Sequence, residues 1–471
     1  MKLELTKPSS LRAILMMGVF IFVFLGTEYY YVNIMARIVD EHNTVLAQNY
    51  ALGISALGFL SWPFAARLCK RRGKQIGVAV LAAAAVLCLF FMEKSGAYGM
   101  TLFLGMAVLF ILGCLGSETY AVCMKTLETR NSLARQVGIS YAFGILLQFI
   151  NNNLVNKEWV EAVVLSVFLL VLVICLTKSE QTAGETEDGK IQEKTEENGD
   201  GKIPKERIAG ILLIVLVALM TCIFSTLDNI VTLQHAAGKA DIGQWPRMLL
   251  ACSGLVSGFL FDYKKRVFMN TIMYSVMMLS TLCVAILQLG GSFLIGLIVF
   301  YLSSGFFVVF FTASFMEISE YMKMPPLWAG MGRAVNNLSA AVIAGASLAL
   351  MGSQNNMTEI VVALVLFVAV SGTMAAYMAV KKEMEERELQ AGDDASQKSA
   401  FEQFSQAYGF TQREIEVLDL LVNTEKNIQE IAETLYISRR TCQRHITAIY
   451  EKAGVKSRMG LYQVYMEKKM P

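Results

Sequence analysis

The sequence is short of charge. Of its 471 residues, 17% are Asp, Glu, Lys or Arg and 55% are hydrophobic, against roughly 25% charged residues in a soluble globular chain. The deficit is uneven: residues 11–380 are a succession of apolar runs, whereas 381–471 have the composition of a soluble domain. Histidine is nearly absent. His42, His235 and His445 are the only three, and none lies near a nucleophile motif, so no Ser/His/Asp set can be assembled. The nine cysteines are scattered, most of them inside apolar runs (Cys88, Cys114, Cys175, Cys222, Cys283), with no CxxC pair and no Cys/His cluster. They read as small packing residues. No loop of the form GxxxxGKS or GxxxxGKT grips a phosphate, and metal-ligand spacing is missing. No catalytic residue, metal or cofactor is expected, and the chain reads as a non-enzyme. The first apolar run lacks a small-residue cleavage site and reads as a span, not as a cleaved signal. The formal net charge of +2 says little, because the two signs are distributed differently along the chain.

A run of about 20 apolar residues spans a bilayer. Twelve candidate spans fall near 12–34, 45–66, 75–92, 97–122, 134–154, 159–177, 208–231, 244–262, 267–288, 292–316, 327–351 and 358–380. Residues 178–207, "KSEQTAGETEDGKIQEKTEENGDGKIPKER", break the series in half. That stretch is acidic and Gly-rich and cannot build a core, so it reads as a disordered cytoplasmic linker. One set of loops carries Arg67, Lys70, Arg71, Arg72 and Lys74, then Lys125, Arg130 and Arg135, then Lys264, Lys265 and Arg266. The alternate loops hold little: Arg37, Lys94, Lys157 and Lys239, with Arg247 just inside a span. The rich set belongs in the cytoplasm. An even span count then puts both termini there too, with Lys2, Lys7 and Arg12 at one end and Lys381 and Lys382 at the other, and places the protein in the inner (cytoplasmic) membrane.

The halves echo each other. "TEYYYVN" in span one matches "LDNIVTLQ" in span seven, putting Glu28 and Asp228 at equal depth. The loop after span two reads "RLCKRRGKQ" and that after span eight "GFLFDYKKR". The second, through Gly258, Asp262 and Arg266, resembles the loop signature of the major facilitator superfamily. In the first half Lys70 stands at the aspartate position and only Arg71, Gly73 and Lys74 survive. The six-plus-six layout resembles that superfamily over about 370 residues. The resemblance implies a central cavity lined by spans one, four, seven and ten and their neighbours.

Ionisable groups inside spans are costly and usually face a cavity. The candidates are Glu28, Glu118, Asp228 and Arg333. Gln148, Asn151, Asn152, Gln234, Asn336 and Asn337 supply polar company, and Asn336 joins the four as a candidate ligand residue. Tyr29, Tyr30, Tyr31 and Trp62 supply aromatic walls, or the Tyr triplet forms an interfacial belt. Glu118 and Arg333 also stand near span ends, where they could reach the cytoplasmic interface or pair with loop charges. A small-molecule site is the expectation; its ligand is not named by the residues.

The polar tail has its own punctuation. "TQRE" at 411–414 fits a capping box, opening a helix with Ile415, Leu418, Leu421 and Val422 on one face. "NTEKN" turns the chain, and Asn427 with Glu430 makes a second box before Ile428, Ile431 and Leu435. "YIS" is a turn with Ser438 as N-cap, and a third helix runs from about Arg439 to Ala453, stopping at Gly454. Two helices joined by such a turn make a helix-turn-helix. Cys442, Ile446 and Ile449 pack inward; Arg440, Arg444 and Thr447 fall opposite, flanked by Gln443 and Arg439. Those are residue types that bond base edges and phosphates.

Residues 410–460 resemble the LuxR-type helix-turn-helix, the output domain of LuxR, FixJ and NarL regulators. "FTQREIEVLDLL", "IAETLYIS", the Thr and His of "RRTCQRHITAIYEKAGVKSR" and the closing "KAGVKSR" carry the likeness. The resemblance implies that Gln443, Arg444 and Thr447 reach bases. Ser438, Thr441, Lys456 and Arg458 look placed for phosphates or local capping. A fourth helix, from about Arg458 to Glu467, is implied as a dimer contact through Leu461, Tyr462 and Tyr465. Lysine is common in the family at Gln443 and valine at Cys442, and no phospho-receiver domain precedes the reader, so phosphorylation control is not implied.

The expected architecture is therefore all-α: a polytopic bundle of six plus six spans, major-facilitator-like, with a C-terminal four-helix helix-turn-helix domain. The expected divisions are 1–177, the linker 178–207, 208–380, a tether 381–407 whose first half favours helix and whose second half is loose, and the reader 408–471. The partners expected are promoter double-stranded DNA, the lipid bilayer, an unidentified small molecule, and a second copy of the reader when DNA is bound. The function expected is a membrane-anchored one-component transcription regulator whose bundle senses a small molecule. A transporter with a regulatory DNA-binding tail, and a passive anchor that releases the reader by proteolysis, are the alternatives.

Overall fold

A computed structural model describes residues 8–127, 131–155, 157–183, 204–239, 241–352 and 356–469. Lys2, Lys7, Arg130 and most of the acidic stretch, residues 184–203, lie outside them. Sixteen helices and no strand are present among the described residues, and the chain divides into two compact units, Met1–Val380 and Lys381–Pro471.

The larger unit holds α1 (Pro8–Met35), α2 (Glu41–Leu68), α3 (Arg71–Lys94), α4 (Tyr98–Thr126), α5 (Leu133–Leu154) and α6 (Glu158–Ala183), then α7 (Lys205–Ala236), α8 (Trp245–Phe261), α9 (Met269–Gln288), α10 (Phe293–Ser319), α11 (Pro325–Gly352) and the start of α12 (Asn356–Ala407). Eleven of these are long and apolar enough to cross a bilayer. The twelfth, α8, has 17 residues, at the short end of what spans. Its limits are local. Pro246 sits in its first turn, where a missing N–H costs nothing, and Lys264, Lys265 and Arg266 after it all have positive φ. Exposed apolar side chains such as Val80, Phe103, Val342 and Val368 ring the outside, as a lipid-facing surface requires. The protein is a multi-pass membrane protein.

The two halves meet through α2 against α11 and α5 against α8. The second crossing brings backbones together: a Cβ on Gly138 would stand 2.5 Å from the Gly254 carbonyl oxygen, so only glycine fits. On the side of the basic loops Asp262 spans the halves. Its carboxylate accepts from the backbone N–H of Ala134 (3.2 Å) and Arg135 (2.7 Å), at the start of α5, where exposed N–H groups and the helix dipole favour an anion. Arg266 lies beside it and donates to Glu317 at 3.0 Å.

The stretch expected to be a half-loose tether is helical: α12 runs unbroken from Asn356 to Ala407. Its Glu/Lys-rich sequence lacks Pro and has one Gly, Gly392, between 381 and 407, which propensity tolerates. The smaller unit adds α13 (Gln412–Asn423), α14 (Ile428–Thr434), α15 (Arg439–Ala453) and α16 (Arg458–Lys469). Val417, Leu418, Leu421, Ile431, Cys442, Ile446, Ile449, Leu461 and Tyr465 form its core, and Phe404, from the end of α12, packs with Tyr408, Phe410 and Tyr465 to extend it.

Candidate nucleic-acid interface and membrane cavity

The caps of the smaller unit form as their sequence requires. Glu414 N–H donates to Thr411 Oγ1 and Thr411 N–H to Glu414 Oε2 at 2.7 Å; the Asn427–Glu430 pair repeats this at 3.0 and 2.8 Å. Ser438 Oγ accepts from Thr441 N–H at 3.1 Å, and Gly454 closes α15 at φ 69°. Between α14 and α15, Tyr436 takes a left-handed φ of 55° and is 96% exposed. A non-glycine residue there is uncommon, and nothing in "YIS" announces it. Glu414 is also buried beneath Lys452, whose Nζ approaches to 2.6 Å. Burial pushes its carboxyl pKa up, but the Lys452 hydrogen bond and the Thr411 cap outweigh that and hold it below its ordinary value.

With Cys442, Ile446 and Ile449 turned inward, α15 presents Arg439, Arg440, Gln443, Arg444 and Thr447 on its exposed face. No acid stands on its first two turns. Lys456 is exposed on the following loop. Thr441 is half-buried, and its hydroxyl pairs with that of Ser438 at 2.7 Å. Thr447 Oγ1 donates back to the Gln443 carbonyl.

Two expectations need correction. Of its capping and phosphate readings, Arg458 takes the first. Its Nε donates to Leu421 O at 2.8 Å, Nη1 to Lys426 O at 2.6 Å, and Nη2 to the carbonyls of Leu420 and Thr424. The guanidinium is spent on the carboxyl end of α13 and does not face outward. The dimer set Leu461, Tyr462 and Tyr465 also splits. Leu461 (0% exposed) and Tyr465 (4%) are one helical turn apart and both belong to the core. Tyr462 is exposed, together with Met459, which sequence reasoning passed over because it stands alone.

In the larger unit a cavity of about 160 Å³ lies between the halves. It is lined from α1, α2, α5, α7, α8, α10 and α11, and gathers Glu28, Asp228, Arg333 and Asn336. Gln48 Nε2 donates to Glu28 Oε1 at 2.7 Å. Asn336 accepts from Thr221 at 3.2 Å and donates to Asn337, which donates to Ser55 at 2.9 Å. Arg333 lies over the rings of Phe24 and Phe311, 6.0 and 5.2 Å from their centroids. It is 7% exposed and faces the cavity, not the interface.

Glu118 is the exception. α4 contributes nothing to this cavity; Glu118 lines a second one, of about 210 Å³, with Trp62, Arg67 and Lys125. It accepts from Trp62 Nε1 at 2.8 Å and pairs with Lys74 at 2.6 Å, the loop-charge partner that its place near the span end allowed. Trp62 therefore walls the second cavity. Tyr30 and Tyr31 are fully buried and Tyr29 lines the central cavity, so the triplet is not an interfacial belt.

The structure gives cavity or inter-half roles to residues that the sequence does not offer as ligand candidates. Arg247, beside Pro246, enters the central cavity and lies 5.8 Å from the centroid of the Tyr29 ring. Tyr141 and Tyr301 join it. On the side opposite Asp262, His235 of α7 stacks on Tyr29 and shares a 3.0 Å hydrogen bond with Asn33, and Asn152 donates to the Gly243 carbonyl at 3.1 Å. The halves thus touch on both sides of the cavity.

The chain is composite, a bundle of long apolar helices followed by a small helix-turn-helix unit. Residues 409–465 match the family of bacterial regulatory proteins, luxR family. Among curated proteins, the spore germination protein GerE of Bacillus subtilis (strain 168) is 48% identical over 48 residues. That match covers 10% of this chain and 64% of GerE, so the chain spans just under two thirds of the length of that relative. Residues 409–465 are therefore a LuxR-type helix-turn-helix domain. Among solved structures, the human organic anion transporter MFSD10 (TETRAN) is 12% identical with a TM-score of 0.52, over 80% of this chain and all of its own. A bacterial homologue of the iron transporter ferroportin, in an outward-facing state, is 13% identical with a TM-score of 0.51, over 79% and 100%. The body has the major-facilitator fold.

Proposed function

We propose that the protein is a membrane-anchored one-component transcription regulator. The observation that carries this reading is a LuxR-type domain whose α15 exposes arginines and no acid over its first two turns, borne on one chain with a body whose central cavity is lined by charge. Gln443, Arg444 and Thr447 read base edges; Arg439, Arg440, Thr441 and Lys456 hold phosphates. The basic loops support a cytoplasmic side for both termini at the inner membrane, where the reader would meet the chromosome. A small molecule in the central cavity shifts the body between two states, and the reader pairs on adjacent half-sites in one of them. Tyr462 and Met459 are the apolar side chains that α16 leaves for that pairing. The test uses the full chain in nanodiscs and its own upstream promoter region. Specific binding that is lost in Arg444→Ala supports the reading; equal affinity for promoter and random duplex refutes it.

One observation favours a second reading, a transporter with a regulatory tail. Asp262, seated on the start of α5 and backed by Arg266 and Glu317, is the kind of breakable inter-half lock that alternating access uses. Its first-half counterpart is Lys70, which caps α3 with no side-chain hydrogen bond. Solute uptake by proteoliposomes separates the two readings.

A further inference from the structure

The central cavity holds four formal charges that leave one another unpaired. Glu28 comes from α1, Asp228 from α7, Arg247 from α8 and Arg333 from α11. None of the carboxylate oxygens comes within the 4.0 Å of an ion pair with either guanidinium. Arg333 is more than nine-tenths buried, and among the described residues it has no hydrogen-bond or ion-pair partner; its contacts are the two phenylalanine faces. Arg247 Nε is likewise buried without a partner. Among the described residues Asp228 makes no hydrogen bond, and Glu28 makes one, from Gln48. An unpaired charge inside a bilayer-spanning bundle is costly unless something completes it. The four could have neutralised each other by direct pairing, and the helices hold them apart.

We propose that the cavity binds a compact zwitterion, an aminocarboxylate, with its carboxylate on Arg333 and its ammonium between Asp228 and Glu28. This rests on the reading of the cavity as a small-molecule site. The guanidinium fork fits a carboxylate bidentately. The ammonium finds two carboxylates, with Tyr301 lining the same cavity. Formal charges of −2 and +2 already balance, so a guest without net charge keeps the site neutral, whereas a simple anion or cation does not. Size agrees: about 160 Å³ is below the roughly 300–1,000 Å³ of drug-sized pockets.

The test is calorimetry on the full chain in nanodiscs. The probes are the common amino acids and γ-aminobutyrate, each set against its deaminated acid and its decarboxylated amine. At least one zwitterion should bind, with both singly charged counterparts weaker by about 10- to 100-fold, the effect of leaving one charged partner unmade. In Arg333→Gln the zwitterion should fall to the level of the amine, and in Asp228→Asn to the level of the acid. Arg333→Lys and Asp228→Glu, which keep the charge, should retain the preference and serve where the first variants do not fold. The proposal is overturned if no zwitterion binds, or if a singly charged counterpart binds as tightly. The same samples are titrated with promoter DNA. A zwitterion that binds without changing DNA affinity sinks the sensor reading and leaves the ligand class standing. A reporter that answers only to singly charged or uncharged compounds does the reverse.

Discussion

Removing the Arg458 side chain should destabilise the reader without touching its DNA face. The guanidinium reaches four carbonyls, those of Leu420, Leu421, Thr424 and Lys426, where α13 ends and the chain turns toward α14. A hydrogen bond to a charged group contributes about 1.5–3 kcal/mol, and a cation at a helix C-terminus adds about 0.3–1 kcal/mol. Four bonds do not sum, because water reaches part of this site once the side chain is gone. A loss of about 2–4 kcal/mol is the reasonable range for Arg458→Ala. In a domain of this size each kcal/mol moves the melting temperature by about 4–8 °C, so the shift should exceed about 8 °C. The assay is thermal circular dichroism of the unit Lys381–Pro471, which has its own core. Arg458→Lys should recover less than half, since one ammonium cannot span four carbonyls. Arg444→Ala is the mirror case: exposed and, among the described residues, without a hydrogen bond, it should melt like the parent and lose about 1–3 kcal/mol of promoter affinity. An Arg458→Ala protein that melts normally but binds DNA poorly would refute the reasoning and return Arg458 to the phosphate contacts.

Three further outcomes are expected. Glu414 has a depressed carboxyl pKa, so its contribution to stability is present above its ordinary value of 4.5 and lost as pH falls through the lower, folded-state value; Glu414→Gln should flatten the acid limb of a stability–pH curve, and an unchanged limb would contradict the Lys452 pairing. Cys442 is fully buried in the reader core; Cys442→Val should cost less than about 1.5 kcal/mol in urea unfolding, and Cys442→Ser more, because its hydroxyl gains no assured partner. Gly138→Leu should wedge α5 from α8, since a Cβ there already collides with Gly254, and a cysteine probe placed at position 228 should then label faster from the basic-loop side.

The reader was almost wholly legible from its residues, and the body only in outline. Caps are local: Thr411, Asn427, Ser438 and Gly454 each act within three or four residues, so a one-dimensional reading reaches them. Arg458 is left between a phosphate and a capping role because its partners lie 32–38 residues away, and Tyr436 escapes because a left-handed residue without glycine leaves no mark. Family resemblance gives Leu461 and Tyr465 to a dimer contact, and the core together with the end of α12 claims them instead. In the membrane body, periodicity fails as a guide, since a helix apolar on all sides hides which face is inward. Charge then becomes the main signal, and it located three of the four cavity residues. For Glu118 it leaves two readings, the cavity and a loop-charge pair, and the 2.6 Å approach of Lys74 decides for the second.

Held-apart charges also bear on how a signal could leave the body. A ligand biases two states only by its difference in affinity between them, and a swing from 1:99 to 99:1 requires about 5.5 kcal/mol. Apolar contacts in a cavity of about 160 Å³ offer little of that, because a small guest buries similar area in either state. Charged contacts offer more: Arg333 and Asp228 stand on different helices of the second half, and Glu28 on a helix of the first. A guest that ties Glu28 to Arg333 couples the halves, and any state that separates α1 from α11 must break a charged bond in a water-poor site. The inter-half contacts on both sides, Asp262 with α5 and His235 with Asn33, would then set which state the empty protein prefers, and the guest's two charges would set how far that preference moves.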